Sequence, residues 1–350
     1  MKILIASVHF GIGHVAHLKA YINLTKSCGY TVRAYLNEDY KKYIEQYDDF
    51  ILESESDLKN YKPDIVLLYN TGFENLHFMK ICKNMNSRVL FVLHEPYMGM
   101  KELLKEGSYC IKQLVASILN TYICSKADVV ILSSKYASEN CKKYMKNAYK
   151  KSVLFPLIFQ DGFIKSGERR YFSFIGGFGH AHGADIYLDF VKKSCEDNNI
   201  LFQIATRTNI EKELENPCID KMIKQGRLIV KQGRPLTSDE IDAAYRNSIC
   251  TWNCYRRSTQ SGVLPNSFMQ GTPVIASNTG SFKDYVISEK TGVLINESSY
   301  DEIYSGYKKI YQNLEKYENN CRELFKNQFY YDMQVDKFKQ IVSSIKGIGE

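Results

Sequence analysis

The 350-residue sequence predicts an α/β protein of two domains, each with a parallel β-sheet covered by helices. The chain is too long for one ordinary hydrophobic core and suits two domains of roughly 150 to 180 residues each. Short apolar runs alternate with stretches of helical periodicity, which is typical of β-α-β units. The first of these runs, Lys2–Val8, turns through Gly11 and Gly13 into a helical pattern at Val15–Cys28.

Further strands of the first domain are predicted from short apolar runs that end at polar or turn residues. They lie at Tyr30–Tyr35, Ile65–Tyr69, Val89–Leu93 and Val129–Ser133. The segment Phe155–Arg170 then contains Pro156 and two glycines and has no sustained periodicity, which is typical of a linker. We therefore predict a first domain at residues 1–155 and a linker at residues 156–170.

The same pattern restarts in a second domain, predicted at residues 171–325. Its strands are expected at Tyr171–Ile175, Ile200–Ala205, Arg227–Val230, Ile249–Trp252, Pro273–Ala276 and Gly292–Ile295. Its helices are expected at Ala184–Cys195, Ser238–Tyr245 and Leu264–Met269, with a helical pattern from Tyr300 onward. Residues 326–350 are rich in aromatic side chains, which indicates a tail that packs against another part of the protein.

The composition argues against several classes of protein. No apolar stretch approaches the ~20 residues of a membrane-spanning helix, and no cleavable signal begins the chain, so we expect a cytoplasmic protein. Ten cysteines occur singly, without the spacing of a zinc site, and we expect reduced thiols, no disulfides and no metal. Nucleic-acid binding is disfavoured because no basic stripe is interleaved with aromatic residues.

The formal net charge of +7 is partly concentrated in one short segment. Lys142, Lys143, Lys146, Lys150 and Lys151 have a spacing that places several of them on neighbouring turns of a helix. A solvated helix face is one interpretation. A peripheral contact with an anionic membrane, at the inner face of the plasma membrane, is the other.

The loop between the first strand and the first helix, His9–His14, has the sequence HFGIGH. Gly11 and Gly13 let the backbone approach a ligand, and a helix N-terminus attracts anions, so a phosphate can bind there. A tight turn without a ligand explains the two glycines equally well. Ala16 and Glu38 keep a dinucleotide-binding dehydrogenase open as an interpretation, although the two histidines of the loop disfavour it.

A second candidate site follows the predicted strand Val89–Leu93. His94 and Glu95 come directly after it, at the edge where open α/β sheets bind ligands. His94 can donate a hydrogen bond to an anion or a hydroxyl, and Glu95 can accept one from a hydroxyl. The alternative is that both residues only fix the turn at Pro96.

The segment Ser258–Ser277 carries the strongest signal in the chain. Ser261 and Gly262 directly precede a predicted helix, so free backbone N–H groups and the helix dipole favour an anion such as a diphosphate. Asn266, one turn into this helix, can reach a hydroxyl of the same ligand. Gly271 then ends the helix. The alternative interpretation is an ordinary turn between a strand and a helix, with no ligand.

This segment resembles the C-terminal domain of retaining glycosyltransferases of family 4, which have the GT-B fold of two facing Rossmann-like domains with the donor site in the cleft between them. The resemblance rests on the order of small-residue turn, helix, Gly-Thr-Pro-Val-Ile-Ala-Ser and apolar strand Gly292–Ile295. It extends back through Gly233–Tyr245 and Ile175–Gly183. It also extends forward to the tail at residues 326–350, which in the family crosses back onto the first domain. In the first domain, the glycine loop and His94 also resemble the family pattern.

The resemblance implies metal-independent transfer of a hexosyl group from a nucleoside-diphosphate donor to an acceptor hydroxyl, with retention of configuration and without a cofactor. It implies catalytic roles for His94 and Asn266, and acceptor contacts for His14 and Glu95. Donor contacts are expected for Gly11, Gly13, Gly177, His182, Arg207, Arg256, Ser258, Ser261, Gly262, Val263 and Asn266. A glycan or a lipid-linked glycan is the expected acceptor, in bacterial polysaccharide, O-antigen or glycolipid synthesis.

Four charged positions of the family are absent from this sequence. Two glutamates are replaced by Ser258 and Asn266, and an arginine and a lysine that contact the diphosphate are replaced by Gly177 and His182. Hydrogen bonds to charged groups are worth about 1.5 to 3 kcal/mol each, so other cations must hold the donor. The candidates, each close to the end of a predicted strand, are Arg207, Arg234, Arg256 and Arg257, of which Arg207 and Arg256 are favoured. A nucleotide-sugar epimerase of the same fold and a catalytically silent partner subunit remain the alternatives.

Overall fold

The computed structural model describes residues 1–104, 110–165, 167–197, 199–259 and 261–345. The chain divides into two compact units. Unit 1 comprises Met1–Gln160 together with the C-terminal segment that starts at Gln328, and unit 2 comprises Asp161–Asn327. The first division falls inside the segment for which a linker is predicted.

Unit 1 contains a six-stranded parallel sheet. Its strands are β1 (Lys2–Ser7), β2 (Thr31–Leu36), β3 (Ile65–Tyr69), β4 (Arg88–Val92), β5 (Val129–Leu132) and β6 (Ser152–Leu154). Its helices are α1 (Val15–Ser27), α2 (Glu55–Tyr61), α3 (Glu74–Asn84), α4 (Met100–Leu104), α5 (Cys110–Lys126), α6 (Lys135–Tyr144) and α7 (Lys146–Tyr149). The strand order is β2-β1-β3-β4-β5-β6.

Unit 2 contains a second six-stranded parallel sheet. Its strands are β7 (Tyr171–Ile175), β8 (Leu201–Ala205), β9 (Leu228–Lys231), β10 (Ser248–Asn253), β11 (Val274–Ser277) and β12 (Gly292–Ile295). Its helices are α8 (Ala184–Lys193), α9 (Glu211–Leu214), α10 (Pro217–Lys224), α11 (Ser238–Arg246), α12 (Val263–Met269), α13 (Phe282–Tyr285), α14 (Tyr300–Gln312) and α15 (Leu314–Gln328). The strand order is β12-β11-β10-β7-β8-β9.

The two parallel sheets confirm the predicted α/β class with two Rossmann-like domains. Helices cover both faces of a parallel sheet, so its strands read as nearly continuous apolar runs, and every residue of β3 is fully buried. This is why the eleven predicted strands end within one residue of the observed ones. The sequence analysis missed β6, because it has only three residues and lies at the sheet edge without a buried side chain.

Each sheet has one switch point, a place where the chain stops adding strands on one side of its first strand and begins to add them on the other side. In unit 1 this place lies between β1 and β3, and in unit 2 it lies between β7 and β10. The loops that leave such a strand pair diverge and open a crevice at the carboxyl ends, where ligands bind in α/β sheets. The residues after these four strands are therefore the first place to look for a site.

The last described helix, α16 (Val335–Ser343), packs on unit 1. Phe338, Ile341 and Val342 are buried in the core formed by α1 and the sheet of that unit. The backbone N–H of Phe159 donates to the carbonyl of Phe329 at 2.8 Å, which ties down the segment before the helix. The prediction that the C-terminal helix crosses back to the first domain is confirmed.

A buried arginine holds together the part of unit 2 that lies opposite the crevice. The guanidinium of Arg169 donates to the carbonyls of Ser248 (3.0 Å) and Gln270 (2.6 Å) and to the hydroxyl of Thr272 (2.7 Å). It also pairs with the carboxylate of Glu318. One side chain thus links β10, the end of α12, the start of β11 and α15.

Candidate functional site

The crevice of unit 1 is formed by the loops that follow β1 and β3. Asn70, directly after β3, has a positive φ of 77°, and its side-chain Nδ2 donates to the carbonyl of His9 at 3.0 Å. The hydroxyl of Tyr40 accepts from the backbone N–H of Gly11 at 2.9 Å. These bonds fix the His9–His14 loop over the carboxyl edge of the sheet.

The two glycines of this loop are in different surroundings. A Cβ on Gly11 would lie 2.7 Å from Nδ1 of His14, which is too close for any side chain. A Cβ on Gly13 would meet no atom within 4 Å. The packing of His14 therefore explains why position 11 must be glycine, even without a ligand. At position 13, no contact in the described part of unit 1 explains why a glycine is present.

His14 and His94 lie together at the crevice. Their rings stack with centroids 5.0 Å apart and planes inclined by 11°, and the ring of Tyr69 meets that of His94 edge-on at 4.4 Å. Burial is the main reason why the pKa of His14 is lowered to about 4, and the nearby His17 and His9 contribute to this shift. The His14 ring is therefore neutral at neutral pH and can stack on His94 without charge repulsion.

Two buried polar atoms in this cluster lack a hydrogen-bond partner among the described residues, namely Nδ1 of His14 and the hydroxyl of Tyr69. A buried polar atom that is left unpaired costs about 1 to 3 kcal/mol, so such atoms usually serve a ligand or an ordered water. Glu95 follows His94 with an exposed side chain, and its carbonyl accepts from Nδ2 of Asn120 at 3.2 Å. Unit 1 thus brings His14 and His94 together and leaves Glu95 open to solvent.

The crevice of unit 2 begins with Gly176, whose φ of +115° is in a region that side chains rarely adopt. The next carbonyl, that of Gly177, lies 2.7 Å from Nδ1 of His182. Because a carbonyl can only accept, Nδ1 carries the proton and Nε2 of neutral His182 is an acceptor. Burial lowers the pKa of His182, although the bond to Gly177 opposes this shift.

The turn before α12 is fastened to the loops around it. Ser258 is buried, its hydroxyl lies 3.2 Å from that of Ser281, and its carbonyl accepts from the N–H of Ser281 at 2.8 Å. Ser261 is half-buried in the turn, and the ring of Tyr255 packs on His182 with centroids 4.5 Å apart. Ser258 therefore shapes the turn from inside.

The start of α12 offers several groups to a ligand. Among the described residues, no acceptor bonds to the N–H groups of Gly262 and Val263. The side-chain amide of Asn266 is half-buried and likewise makes no hydrogen bond with a described residue. Pro265 has no N–H to satisfy. The predicted contact residues Gly262, Val263 and Asn266 thus lie together on one short helix, with free donors.

The predicted arginines of unit 2 have different partners. Arg256 binds the carboxylate of Asp185 through two bonds of 2.7 Å. Arg207 is exposed, and no described carboxylate lies within 4.0 Å of it. Its loop follows β8 and reaches the crevice, because the hydroxyl of the next residue, Thr208, accepts from the N–H of Phe178 at 3.3 Å. Of the two favoured arginines, only Arg207 therefore has its guanidinium free within the described chain.

Two asparagines of the crevices were missed by the sequence analysis. Asn70 and Asn253 both stand at the carboxyl end of a strand, Asn70 after β3 and Asn253 as the last residue of β10. Asn253 is fully buried, and its Oδ1 has no hydrogen-bond partner among the described residues. The signal was available, because an asparagine at the end of an apolar run marks the edge where ligands bind.

The described residues contain no group of three or more histidine, cysteine, aspartate or glutamate side chains able to hold a metal ion. No helix in the described ranges is both long and apolar enough to cross a membrane.

Residues 159–327, which include all of unit 2, match the model of the family described as glycosyl transferases group 1. No curated protein sequence matches the chain. Solved structures with a similar fold include HepE from Anabaena in complex with UDP, with 12% identity, a TM-score of 0.72 and coverage of 98% of this chain and 100% of that one. HepE is also known in complex with UDP-glucose.

Two other similar structures are a glycosyltransferase from Rickettsia africae and the sucrose-phosphate synthase of Thermosynechococcus elongatus. The first has 13% identity and a TM-score of 0.73, and covers 99% of both chains. The second has 12% identity and a TM-score of 0.71, and covers 98% of both chains. Likeness at this level of identity shows the fold, and it confirms the predicted GT-B fold class, with a six-stranded parallel sheet in each unit.

Proposed function

We propose that the protein is a glycosyltransferase that moves a sugar from a nucleoside diphosphate to an acceptor hydroxyl. The observation that carries the proposal is the match of residues 159–327 to the glycosyl transferases group 1 family. It is supported by the crevice of unit 2, where the carboxyl ends of β7 and β10 lie beside backbone donors and an arginine that have no partner among the described residues. HepE, which has a similar fold, binds UDP and UDP-glucose, and uridine nucleotides are therefore the first donors to test.

In the proposed donor site, the N–H groups of Gly262 and Val263 meet the diphosphate, and Arg207 supplies the positive charge. Asn266 bonds a hydroxyl of the ribose or of the sugar. The loop at Gly176 allows close approach of the backbone. Arg256 acts indirectly, because its ion pair with Asp185 joins the loop after β10 to α8.

The chemistry requires stabilisation of the departing diphosphate and of the cation-like sugar. We propose retention of configuration and family 4 membership from the sequence pattern around α12, and metal independence with the diphosphate held by backbone amides and Arg207. His94 is proposed to contact the donor sugar, and His14 and Glu95 to bind the acceptor. The neutral state of His14 suits a hydroxyl acceptor, because neutral imidazole offers a lone pair.

The acceptor is proposed to be a glycan or a lipid-linked glycan of bacterial surface polysaccharide, O-antigen or glycolipid synthesis. The protein is then expected in the cytoplasm, with a peripheral contact to anionic lipid at the inner face of the plasma membrane. The segment Lys142–Lys151 supports this contact, because most of its lysines are exposed on α6 and α7.

A thermal-shift screen with UDP, GDP, ADP, CMP and their sugars tests the donor site, because a bound ligand raises the apparent melting temperature. One nucleotide class should raise the melting temperature. Arg207→Gln should lower the affinity for that nucleotide by roughly 10- to 100-fold, as expected for the loss of a charge-assisted bond. Arg170→Gln is the matched control, because Arg170 is exposed directly before β7, at the opposite edge of the same sheet. Equal affinity in both variants would refute the site.

A catalytically silent GT-B-like partner subunit is the second candidate. The observation in its favour is the loss of four charged family positions, together with the pairing of Arg256 with Asp185 and of Arg234 with Glu240. Slow hydrolysis of any nucleotide sugar by the purified protein excludes this candidate. Release of an epimerised or free sugar without an acceptor identifies the third alternative, a nucleotide-sugar epimerase.

A further inference from the structure

Unit 1 exposes an apolar stripe on α5. Ile111, Val115, Ile118 and Tyr122 are exposed, Ile111 to 75% and Ile118 to 62%. Because a helix turns by about 100° per residue, these four positions fall within an arc of about 60°. The opposite face of α5 is buried on the sheet through Leu119, Ile123 and Cys124. The stripe is therefore the outer face of a helix that is apolar on both sides.

The short helix α4 packs on α5 and also exposes apolar side chains. Met100 and Leu104, four residues apart, are exposed to 48% and 66%. Residues 100–149 contain eight of the eighteen large apolar side chains that are exposed in the described chain. Nearly half of them thus fall in one seventh of the sequence. The four on α5 share one face of the helix, and a contiguous apolar face of this kind marks an interaction surface, whereas scattered exposed apolar residues do not.

The chain around this stripe carries most of the net charge of the protein. Residues 110–151 contain eight lysines, no arginine and two acidic residues, a net charge of +6 in a chain whose total is +7. Within the described residues, no carboxylate lies within 4.0 Å of Lys112, Lys126, Lys142, Lys146 or Lys150. These ammonium groups are available to an external anionic partner.

The lysines and tyrosines beside the stripe occur in pairs. The ammonium of Lys126 lies 6.0 Å from the ring centroid of Tyr122, and that of Lys142 lies 6.0 Å from the centroid of Tyr149. Side chains with an apolar body and a polar end are characteristic of the boundary between lipid and water. A depression of about 620 Å³ separates α5 from α6 and α7, and Lys143, Lys146 and Lys151 contribute to its lining. Its size and charge suit a phosphate-bearing headgroup.

The apolar stripe lies close to the carboxyl edge of the sheet of unit 1. Asn120, in the middle of α5, accepts from the hydroxyl of Thr71 at 2.6 Å and donates to the carbonyl of Glu95 at 3.2 Å. Thr71 and Glu95 belong to the loops after β3 and β4, so the half of α5 before Asn120 continues past these loops. A partner on the stripe is then a neighbour of the His94–Glu95 loop.

We propose that α4 and α5, with the lysine-bearing α6 and α7, form a docking face for an anionic phospholipid bilayer. The apolar stripe enters the boundary between headgroups and acyl chains, and the lysines around it bind headgroup phosphates. The positive charge favours an anionic lipid surface over a second copy of this chain as the partner, because two copies of a face of net charge +6 repel each other. This face deepens the lipid contact proposed above from Lys142–Lys151. The contact does not depend on the proposed transferase activity, and it places a lipid-linked acceptor beside His94 if that activity is present.

The test is co-sedimentation of the full chain with vesicles of phosphatidylcholine alone, or with about 30% phosphatidylglycerol added. Binding should require the anionic lipid. Lys142→Gln/Lys146→Gln/Lys150→Gln should weaken it on the order of 100-fold, and added salt should weaken it further. The matched control is the triple change to glutamine at Lys212, Lys224 and Lys316, which are exposed on unit 2; it should bind like the unchanged protein.

A second pair of variants tests the apolar stripe. Ile111→Ser/Ile118→Ser should weaken vesicle binding roughly tenfold or more, because two side chains no longer enter the lipid. Ile223→Ser/Tyr311→Ser, at residues exposed to 41% and 60% on unit 2, should not. Since each changed side chain is exposed, melting curves should be unaffected.

Fluorescence gives a direct reading of insertion. Trp252 is the only tryptophan and is buried, so the unchanged protein should show no spectral shift with vesicles. Ile118→Trp should shift to the blue with anionic vesicles only. Equal binding to neutral and anionic vesicles, an unchanged spectrum, or a lipid-free dimer that Ile111→Ser/Ile118→Ser dissociates would each overturn the proposal.

Discussion

Gly11 and Gly13 form a natural pair for testing how the loop after β1 works. Both are replaced by alanine, which adds the same single methyl group two residues apart. At Gly11 this group would lie 2.7 Å from His14, against an ordinary contact of at least 3.4 Å. The His14 ring must then move by about 0.7 Å, and it is held between His94 and Tyr69. At Gly13 the methyl group meets nothing within 4 Å.

The expected magnitudes follow from these contacts. Overpacking of a tight site costs about 1 to 3 kcal/mol, and each kcal/mol lowers the melting temperature of a unit of this size by about 2 to 4 °C. Gly11→Ala should therefore melt about 2 to 12 °C lower than the unchanged protein. Gly13→Ala should be equally stable or up to about 1 kcal/mol more stable, because alanine restricts the unfolded chain.

The assays are urea and thermal unfolding, followed by the KM for the donor once it is identified. Equal stability of the two variants would refute the packing argument for Gly11. The sequence analysis expects the backbone of Gly13 to contact a phosphate of the donor, so Gly13→Ala should raise the donor KM while folding is intact. An unchanged KM would remove Gly13 from the donor site and leave the packing argument standing.

Three further predictions concern catalysis, stability and pH. His94→Ala and Asn266→Ala should each lower turnover at least tenfold, as measured by product formation, while circular dichroism shows an intact fold. A turnover equal to that of the unchanged protein would contradict the proposed role of the changed residue. Arg169→Met should destabilise unit 2 by about 3 to 5 kcal/mol in urea unfolding, because it leaves several buried carbonyls and the Glu318 carboxylate without their donor. A loss of stability below about 1 kcal/mol would contradict this. Burial lowers the pKa of His17 to about 4, so the unfolded chain binds a proton first as the pH falls below about 6.5. The free energy of unfolding should therefore decline between pH 6.5 and 4. His17→Phe should reduce the slope of this decline with pH, and an unchanged slope would exclude His17 as its source.

The strands could be predicted from the sequence because burial on both sheet faces leaves a clear apolar run. β3 is an example, since all five of its residues are buried and both of its ends are correct. β6 could not be predicted in this way, because an edge strand of three residues makes no such run. What identifies it is its parallel pairing with β5, which is a long-range contact.

The sequence analysis located candidate residues by their place along the chain, whereas the contacts between them come from the structure. It placed His94 after one strand and His14 in the loop after another, and the structure shows that the two rings stack. The sequence could not reveal that Arg256 binds Asp185, because 71 residues separate the two side chains. It also could not reveal that Ser258 bonds inward to Ser281, since a small polar residue in a turn reads the same whether it contacts a ligand or the next loop.

In the proposed donor site of unit 2, these contacts change how a diphosphate can be held. The resemblance to family 4 aligns His182 with a lysine. The Nδ1–H of His182 donates to the carbonyl of Gly177, so Nε2 of the neutral ring is an acceptor that repels a phosphate oxygen instead of binding it. The guanidinium of Arg256 already has a carboxylate. The charge must then come from Arg207, and the remaining bonds must come from backbone N–H groups, whose number does not change with pH. Since burial also lowers the pKa of His182, donor affinity should stay level from neutral pH down to the point where this ring takes up a proton, and should rise below it.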